Sequence, residues 1–149
     1  MLQVYKRMQK MREKYVDTLA KLYEYATTVY SKKQYTQWYD TRKGGYTYAS
    51  LKERCDSLSK VLTQYGIGAG DKVAILSQSM PNWSVAFFSL APYGRIVIPI
   101  LPDSSTNEVT NIINHSETKA IFVSQKLAGK VSEEVKDKIT IHKRANFFM

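Results

Sequence analysis

Apolar residues recur at three- and four-residue steps over the first thirty positions, and that spacing predicts helix over Leu2–Tyr30. Val4, Met8, Met11, Tyr15, Leu19, Leu22, Ala26 and Val29 fall on one stripe. The stripe fits one long helix or two joined near Asp17, a residue able to cap a new start. The helical period then lapses. Tyr35, Trp38 and Tyr39, the Lys43-Gly44-Gly45 turn, and Tyr46 and Tyr48 predict a short β-hairpin. Thr47 is the expected N-cap of another helix, along which Leu51, Cys55, Leu58, Leu62 and Tyr65 keep one face. Gly66 ends it, because glycine adopts the left-handed cap without steric cost.

Beyond Gly68 and Gly70 the pattern changes again. Val73 to Leu76 is a continuous apolar run, as in a strand buried on both faces. Pro81 suits the first turn of the next helix, which Trp83, Val85, Ala86, Phe87, Phe88 and Leu90 make apolar nearly all round. Ile96 to Ile100 is the second predicted strand. Ser105-Thr106-Asn107-Glu108 has capping-box spacing, and Val109, Ile112 and Ile113 carry the apolar face that follows. Ala120 to Val123 is a third buried strand. A helix over about Ser124 to Lys138 and a fourth strand at Ile139-Thr140-Ile141 complete the expectation. Strands alternating with helices imply right-handed crossovers. The expected class is α/β: a mainly parallel sheet with helices on both faces, preceded by an N-terminal amphipathic helix and a short β-hairpin.

A length of 149 residues bounds the chain to one domain or a piece of a larger one, and 44% hydrophobic content supplies a real core. No apolar run reaches bilayer-spanning length. Charges from Lys6 onward interrupt any signal-peptide pattern, so a cytoplasmic location is expected. The single cysteine, Cys55, excludes an internal disulfide. The net charge of +9 is clustered: Lys6, Arg7, Lys10, Arg12 and Lys14 crowd the first turns, and Lys136, Lys138, Lys143 and Arg144 the last residues. The first cluster beside its apolar stripe fits a helix on an anionic membrane, or one docked on its own protein with a solvated basic face. Nucleic acid is not expected as a partner, because no recognition motif accompanies the basic residues.

The candidate chemistry is sparse. Gly66, Gly68 and Gly70 follow a predicted helix and open a strand, whereas a phosphate-cradling loop follows a strand and opens a helix. They read as a structural turn. Ser77-Gln78-Ser79-Met80-Pro81-Asn82 has the right placement for an anion but no glycine, so capping by Ser77 or Ser79 is the expected use of its donors. His115 and His142 lack metal-ligand spacing. Cys55 falls on a buried helix face, and Asp71, Asp103 and Glu108 read as turn and capping residues.

Five short words in order resemble the front of the AMP-forming acyl-CoA synthetase, or adenylate-forming ligase, family. Thr47-Tyr48-Ala49-Ser50-Leu51 resembles its T-Y-x-x-L helix start. The stretch from Tyr65 to Ile75 resembles its L-G-V-x-x-G-D-x-V-A-I turn and strand. Pro81-Asn82-Trp83 is similar to an N-x-P-E-W helix opening typical of fatty acyl members, with Ser79 in place of the Asn and Asn82 in place of the Glu. Gly94 followed by Ile98-Pro99 resembles G-x-x-x-V-P, and Ser116 to Ala120 resembles D-S-x-A-K.

The resemblance implies an enzyme that joins a carboxylic acid to ATP as an acyl-adenylate and then lets CoA sulfur displace AMP. It implies ATP, Mg²⁺ and CoA for the full-length long-chain fatty acid–CoA ligase, with fatty acid as the acid, and none of them bound to this fragment. It divides the chain into a basic helical extension over 1–16 and, over 17–149, the start of the AMP-binding large domain, truncated before the phosphate-binding loop. The family's Ser/Thr/Gly loop ending in lysine, its Thr-Glu pair, its ribose-binding Asp and its catalytic Lys have no counterparts here. No catalytic, cofactor-binding or metal residue is therefore assigned. Thr47, the turn glycines, Asp71 and Pro99 match as scaffold. The fragment is expected to be inactive, and to self-associate through uncovered apolar faces. The alternative is a stand-alone interaction module whose basic helix binds anionic membrane or a protein partner.

Overall fold

A computed structural model describes residues 2–6, 18–37 and 44–139. Met8, Met11 and Tyr15 of the predicted stripe, the expected joint at Asp17, Trp38 and Tyr39 of the hairpin, and Thr140, Ile141 and His142 lie outside the described residues. Residues 2–6 are helical, with Leu2, Val4 and Tyr5 exposed. Helix α1, Leu19–Val29, is capped by Thr18, whose Oγ1 accepts from the Lys21 amide at 3.2 Å. The hairpin forms from β1, Gln34–Thr36, paired antiparallel with β2, Tyr46–Thr47. Helix α2 is Tyr48–Gln64, so Tyr48 is its first residue and not a hairpin residue.

The buried face of α1 differs from the predicted stripe. Tyr23 and Thr27 face the core, whereas Leu19, Leu22 and Val29 are 39–53% exposed. Burial is open to Thr27 because its own hydroxyl is satisfied, donating back to the Tyr23 carbonyl at 2.8 Å. Tyr23 also stacks on Phe88 at 5.2 Å, a larger apolar contact than a leucine would make there.

Strand β3 is Lys72–Leu76, helix α3 Pro81–Phe88, strand β4 Ile96–Ile100, helix α4 Thr106–Ser116 and strand β5 Ala120–Val123. The three strands form a parallel sheet ordered β4-β3-β5, with Lys72 opposite Ile96 and Val73 opposite both Val97 and Ala120. The chain steps one place from β3 to β4, then two places back to β5. Right-handed crossovers in opposite directions put α3 and α4 on opposite faces. That explains why Val73 to Leu76 and Ala120 to Val123 are all buried. Each fully buried Leu or Ile, such as Leu62 or Ile75, contributes about 1.5–3 kcal/mol.

Strand β4 lies at the sheet edge. The Ile96 amide donates to the Asp71 carbonyl at 2.9 Å, which turns residues 96, 98 and 100 toward β3. The backbone groups of Val97 and Pro99 therefore point outward. Pro99 sits where its missing N–H costs no ladder bond.

Two expectations after β5 need correction. Instead of one helix over 124–138, a 3₁₀ segment, Gln125–Lys130, gives way to a short helix α5, Glu133–Lys138. The break follows Gly129, a poor helix former, and Ser132 turns its hydroxyl to Thr110 at 3.1 Å. Ile139 is buried but not in a strand, and the rest of the predicted fourth strand lies outside the described residues.

Candidate functional site

The carboxyl ends of parallel strands are where α/β sheets present ligands. Here Ser77 follows β3 and Ser124 follows β5, both buried. The Ser124 hydroxyl donates to Gln78 Oε1 at 2.7 Å, and the Ser77 hydroxyl donates to the Gln78 carbonyl at 3.1 Å. The Ser124–Gln78 bond thus links the turns that follow β5 and β3. Neither Ser77 nor Ser79 caps α3, contrary to expectation: Met80 is the N-cap residue, without a side-chain bond, and Pro81 occupies the first turn. Proline has no N–H to be capped, so less is lost there than at an ordinary helix start.

The opposite end of the sheet carries the Gly66–Asp71 turn. Gly66 and Gly70 have φ of +76° and +84°. The Gly70 amide donates to the Gly94 carbonyl at 2.8 Å, and the Gly68 amide to Asp71 Oδ2 at 2.8 Å. Lys119 reaches Asp71 Oδ1 at 2.5 Å. Lys119 first, then the Gly68 amide, hold the Asp71 carboxyl below the usual carboxylate range. These glycines wrap their own chain, as a structural turn should.

Beside the turn lies a group that the sequence reading passed over. Arg95 is only 5% exposed. Its Nε donates to the Ile67 carbonyl at 3.0 Å, Nη1 to Ser59 Oγ at 2.8 Å, and Nη2 to Thr63 Oγ1 at 2.8 Å and to the Ser59 and Ile67 carbonyls at 3.1 and 2.9 Å. Every direct partner is a neutral oxygen. Burial therefore lowers the guanidinium's pKa, although Asp71 opposes the shift. The signal available in the sequence was a lone arginine at the mouth of the apolar run Ile96 to Ile100.

The remaining candidates are structural. The Cys55 thiol is fully buried and donates to the Val85 carbonyl at 3.6 Å, and burial pushes its pKa up to about 11. A thiol held protonated is a poor nucleophile. His115 is exposed in the last turn of α4, and Asp103 is exposed in the loop before that helix. Glu108 closes the capping box with Ser105. No group of three potential metal ligands occurs among the described residues. A 330 Å³ cavity between α1 and the hairpin is walled by Tyr23, Tyr30, Tyr35, Tyr48 and Phe88 and lacks the converging charged groups that chemistry requires.

A sequence model of the AMP-binding enzyme family matches residues 24–147. The chain belongs to the AMP-binding enzyme family. Relatives within it include 4-hydroxybutyrate–CoA ligase 2 of Metallosphaera sedula, 30% identical over 66% of this chain and 18% of that protein. Another is long chain acyl-CoA synthetase 2 of Arabidopsis thaliana, 26% identical over 62% of this chain and 14% of that protein. The N-terminal domain of FACL13 from Mycobacterium tuberculosis superposes with a TM-score of 0.73 at 23% identity, over 83% of this chain and 32% of that one. The chain spans about a fifth of the length of the curated relatives it matches. Against this AMP-binding background, the resembling words fall on joints of the scaffold: Thr47 caps α2, Gly66 to Asp71 turn the chain into β3, and Pro99 marks the sheet edge.

Proposed function

We propose that this chain is the amino-terminal part of the large domain of an ATP-dependent, AMP-forming fatty acid–CoA ligase. The family match over residues 24–147 carries the reading, and the fold likeness to a ligase N-terminal domain supports it. In such a ligase the substrate carboxylate attacks the α-phosphorus of ATP and pyrophosphate leaves. CoA sulfur then attacks the acyl carbon, and AMP departs. Mg²⁺ offsets the phosphate charge in the first step. The Pro81-Asn82-Trp83 word favours a fatty acid as the substrate. This chain contributes one wall of the domain, with the reacting groups supplied by other polypeptide of the same enzyme. Purified as it stands, it releases no pyrophosphate from fatty acid, ATP and Mg²⁺, whereas a longer product of the same gene does so and forms a CoA thioester. Pyrophosphate release by the 149-residue chain alone would overturn its assignment as scaffold.

A second reading adds to the first. Leu2, Val4 and Tyr5, exposed at 70%, 63% and 60% in a helical segment next to a basic cluster, favour peripheral contact with an anionic membrane. Co-sedimentation with vesicles containing phosphatidylserine, abolished by deletion of residues 1–16, is the expected result. Equal binding to neutral vesicles refutes it.

A further inference from the structure

We propose that the groove between α1 and the hairpin is a binding site for one fatty acyl chain of about a dozen carbons, with its carboxylate at Lys33. The site does not depend on the ligase reading, which rests on the family match and is tested by pyrophosphate release.

The groove exists because of a size pattern along α1. The helix lines it from Leu19 to Tyr30, with the small Ala26 and Thr27 between Tyr23 and Tyr30. These positions lie three or four residues apart and share one face. The Thr27 hydroxyl is turned back to the Tyr23 carbonyl at 2.8 Å, so it does not face the groove as a free donor. Rings from the other elements close over that floor in sequence. Phe88 stacks on Tyr23 at 5.2 Å, Tyr35 meets Phe88 at 6.3 Å, Tyr48 meets Tyr35 at 5.1 Å, and Tyr30 meets Tyr48 at 6.0 Å. The arc starts and ends on α1. Rings that brace one another form a wall before any ligand arrives, so little ordering is lost on binding.

Its dimensions select the occupant. Leu19 to Tyr30 is about 16 Å of helix rise. Spread over that length, the 330 Å³ volume has a mean cross-section of about 20 Å², the width of one extended hydrocarbon chain. A methylene is about as large as a water molecule, about 30 Å³, so the volume takes about eleven of them. A lipid with two chains does not fit, and a compact apolar ligand leaves part of the length empty.

One end of the groove is charged. The Lys33 amide donates to the Tyr30 carbonyl at 2.7 Å, and that turn brings the Lys33 ammonium to 5.1 Å from the centre of the Tyr30 ring. The other end is marked by the half-exposed Leu19 and Leu22. A single apolar tail with an anionic head matches this polarity. A carboxylate accepts a charge-assisted hydrogen bond from the ammonium, which a neutral head does not match in strength.

Isothermal titration calorimetry of the 149-residue chain tests the site with octanoate, decanoate, dodecanoate and hexadecanoate, each below its micellar concentration. Affinity should rise about fourfold per methylene as far as about twelve carbons and level off beyond. Lys33→Gln should weaken dodecanoate about tenfold and leave dodecanol unchanged. Ala26→Trp fills the groove and should weaken both at least about thirtyfold. Lys33 is exposed, so its variant reads out the site even where Ala26→Trp disturbs the fold. Absence of saturable binding overturns the proposal. So does affinity that climbs through hexadecanoate and survives Ala26→Trp, which is adhesion to apolar surface. Equal losses of dodecanoate and dodecanol in Lys33→Gln overturn the placement of the carboxylate. Binding that appears only after removal of residues 1–16 identifies the chain's own amino-terminal segment as the occupant, and binding lost as the chain dimerises identifies a second copy. Either result overturns the proposal.

Discussion

Arg95 joins three parts of the molecule through one side chain. Its guanidinium ties the end of α2, through Ser59 and Thr63, to the turn carbonyl of Ile67 and to the start of β4. Truncation in Arg95→Ala leaves several buried acceptors without donors, at about 1–3 kcal/mol each. Urea unfolding should show a loss of at least about 3 kcal/mol. Arg95→Lys keeps the charge but not the fork and should fall between the two. Two neighbouring glycines make a paired test. Gly70, at φ +84°, should lose about 1 kcal/mol or more as Gly70→Ala. Gly68 has no positive φ and open space around it, so Gly68→Ala should stay within about 0.5 kcal/mol of the parent. Equal losses at both positions would show that backbone conformation is not what Gly70 supplies.

The starts of α2 and α4 were legible, because capping is local chemistry. Thr47 and Ser105 both close capping boxes, with Ser50 and Glu108 as their partners. Thr47→Ala and Ser105→Ala should each cost about 1 kcal/mol in chemical denaturation. A value near zero for Ser105 would mean that water caps α4 as well as the hydroxyl does. The three strands were equally plain, since four or five apolar residues in a row between turns leave little choice. Two readings erred for tertiary reasons. The period of α1 matched leucines and valines, but the aromatic neighbours Phe88 and Tyr35 select Tyr23 for the core. The segment after β5 has helical composition, yet Lys130 spends its ammonium on the carbonyls of Pro102 and Ser104, at 2.6 and 2.8 Å. Spacing alone could not reveal that tether.

At the scale of the whole molecule, the alternating order of strands and helices was readable and the parallel sheet follows from it. That β4 would stand at the edge was not, because its composition belongs to a sheet interior. Arg95 was illegible because its partners on α2 and in the Ile67 turn lie 28 to 36 residues earlier in the chain. Acid titration probes the assembled fold. The folded Asp71 carboxyl has a lowered pKa, so the unfolded chain binds its proton more readily. Its stabilisation is complete above the unfolded carboxyl's value of about 3.9 and fades as pH falls through the lower folded value. Asp71→Asn should therefore flatten the acid limb of a stability–pH curve while Asp71 itself retains it. An unchanged limb would exclude the Lys119 pairing as its source. The rivet next to this clasp behaves otherwise. Arg95 is gripped only by uncharged oxygens, and nothing in its grip takes up a proton in mild acid. As acidity grows, the sheet lets go of Lys119 first, while the joint between α2 and β4 holds until the core itself gives way.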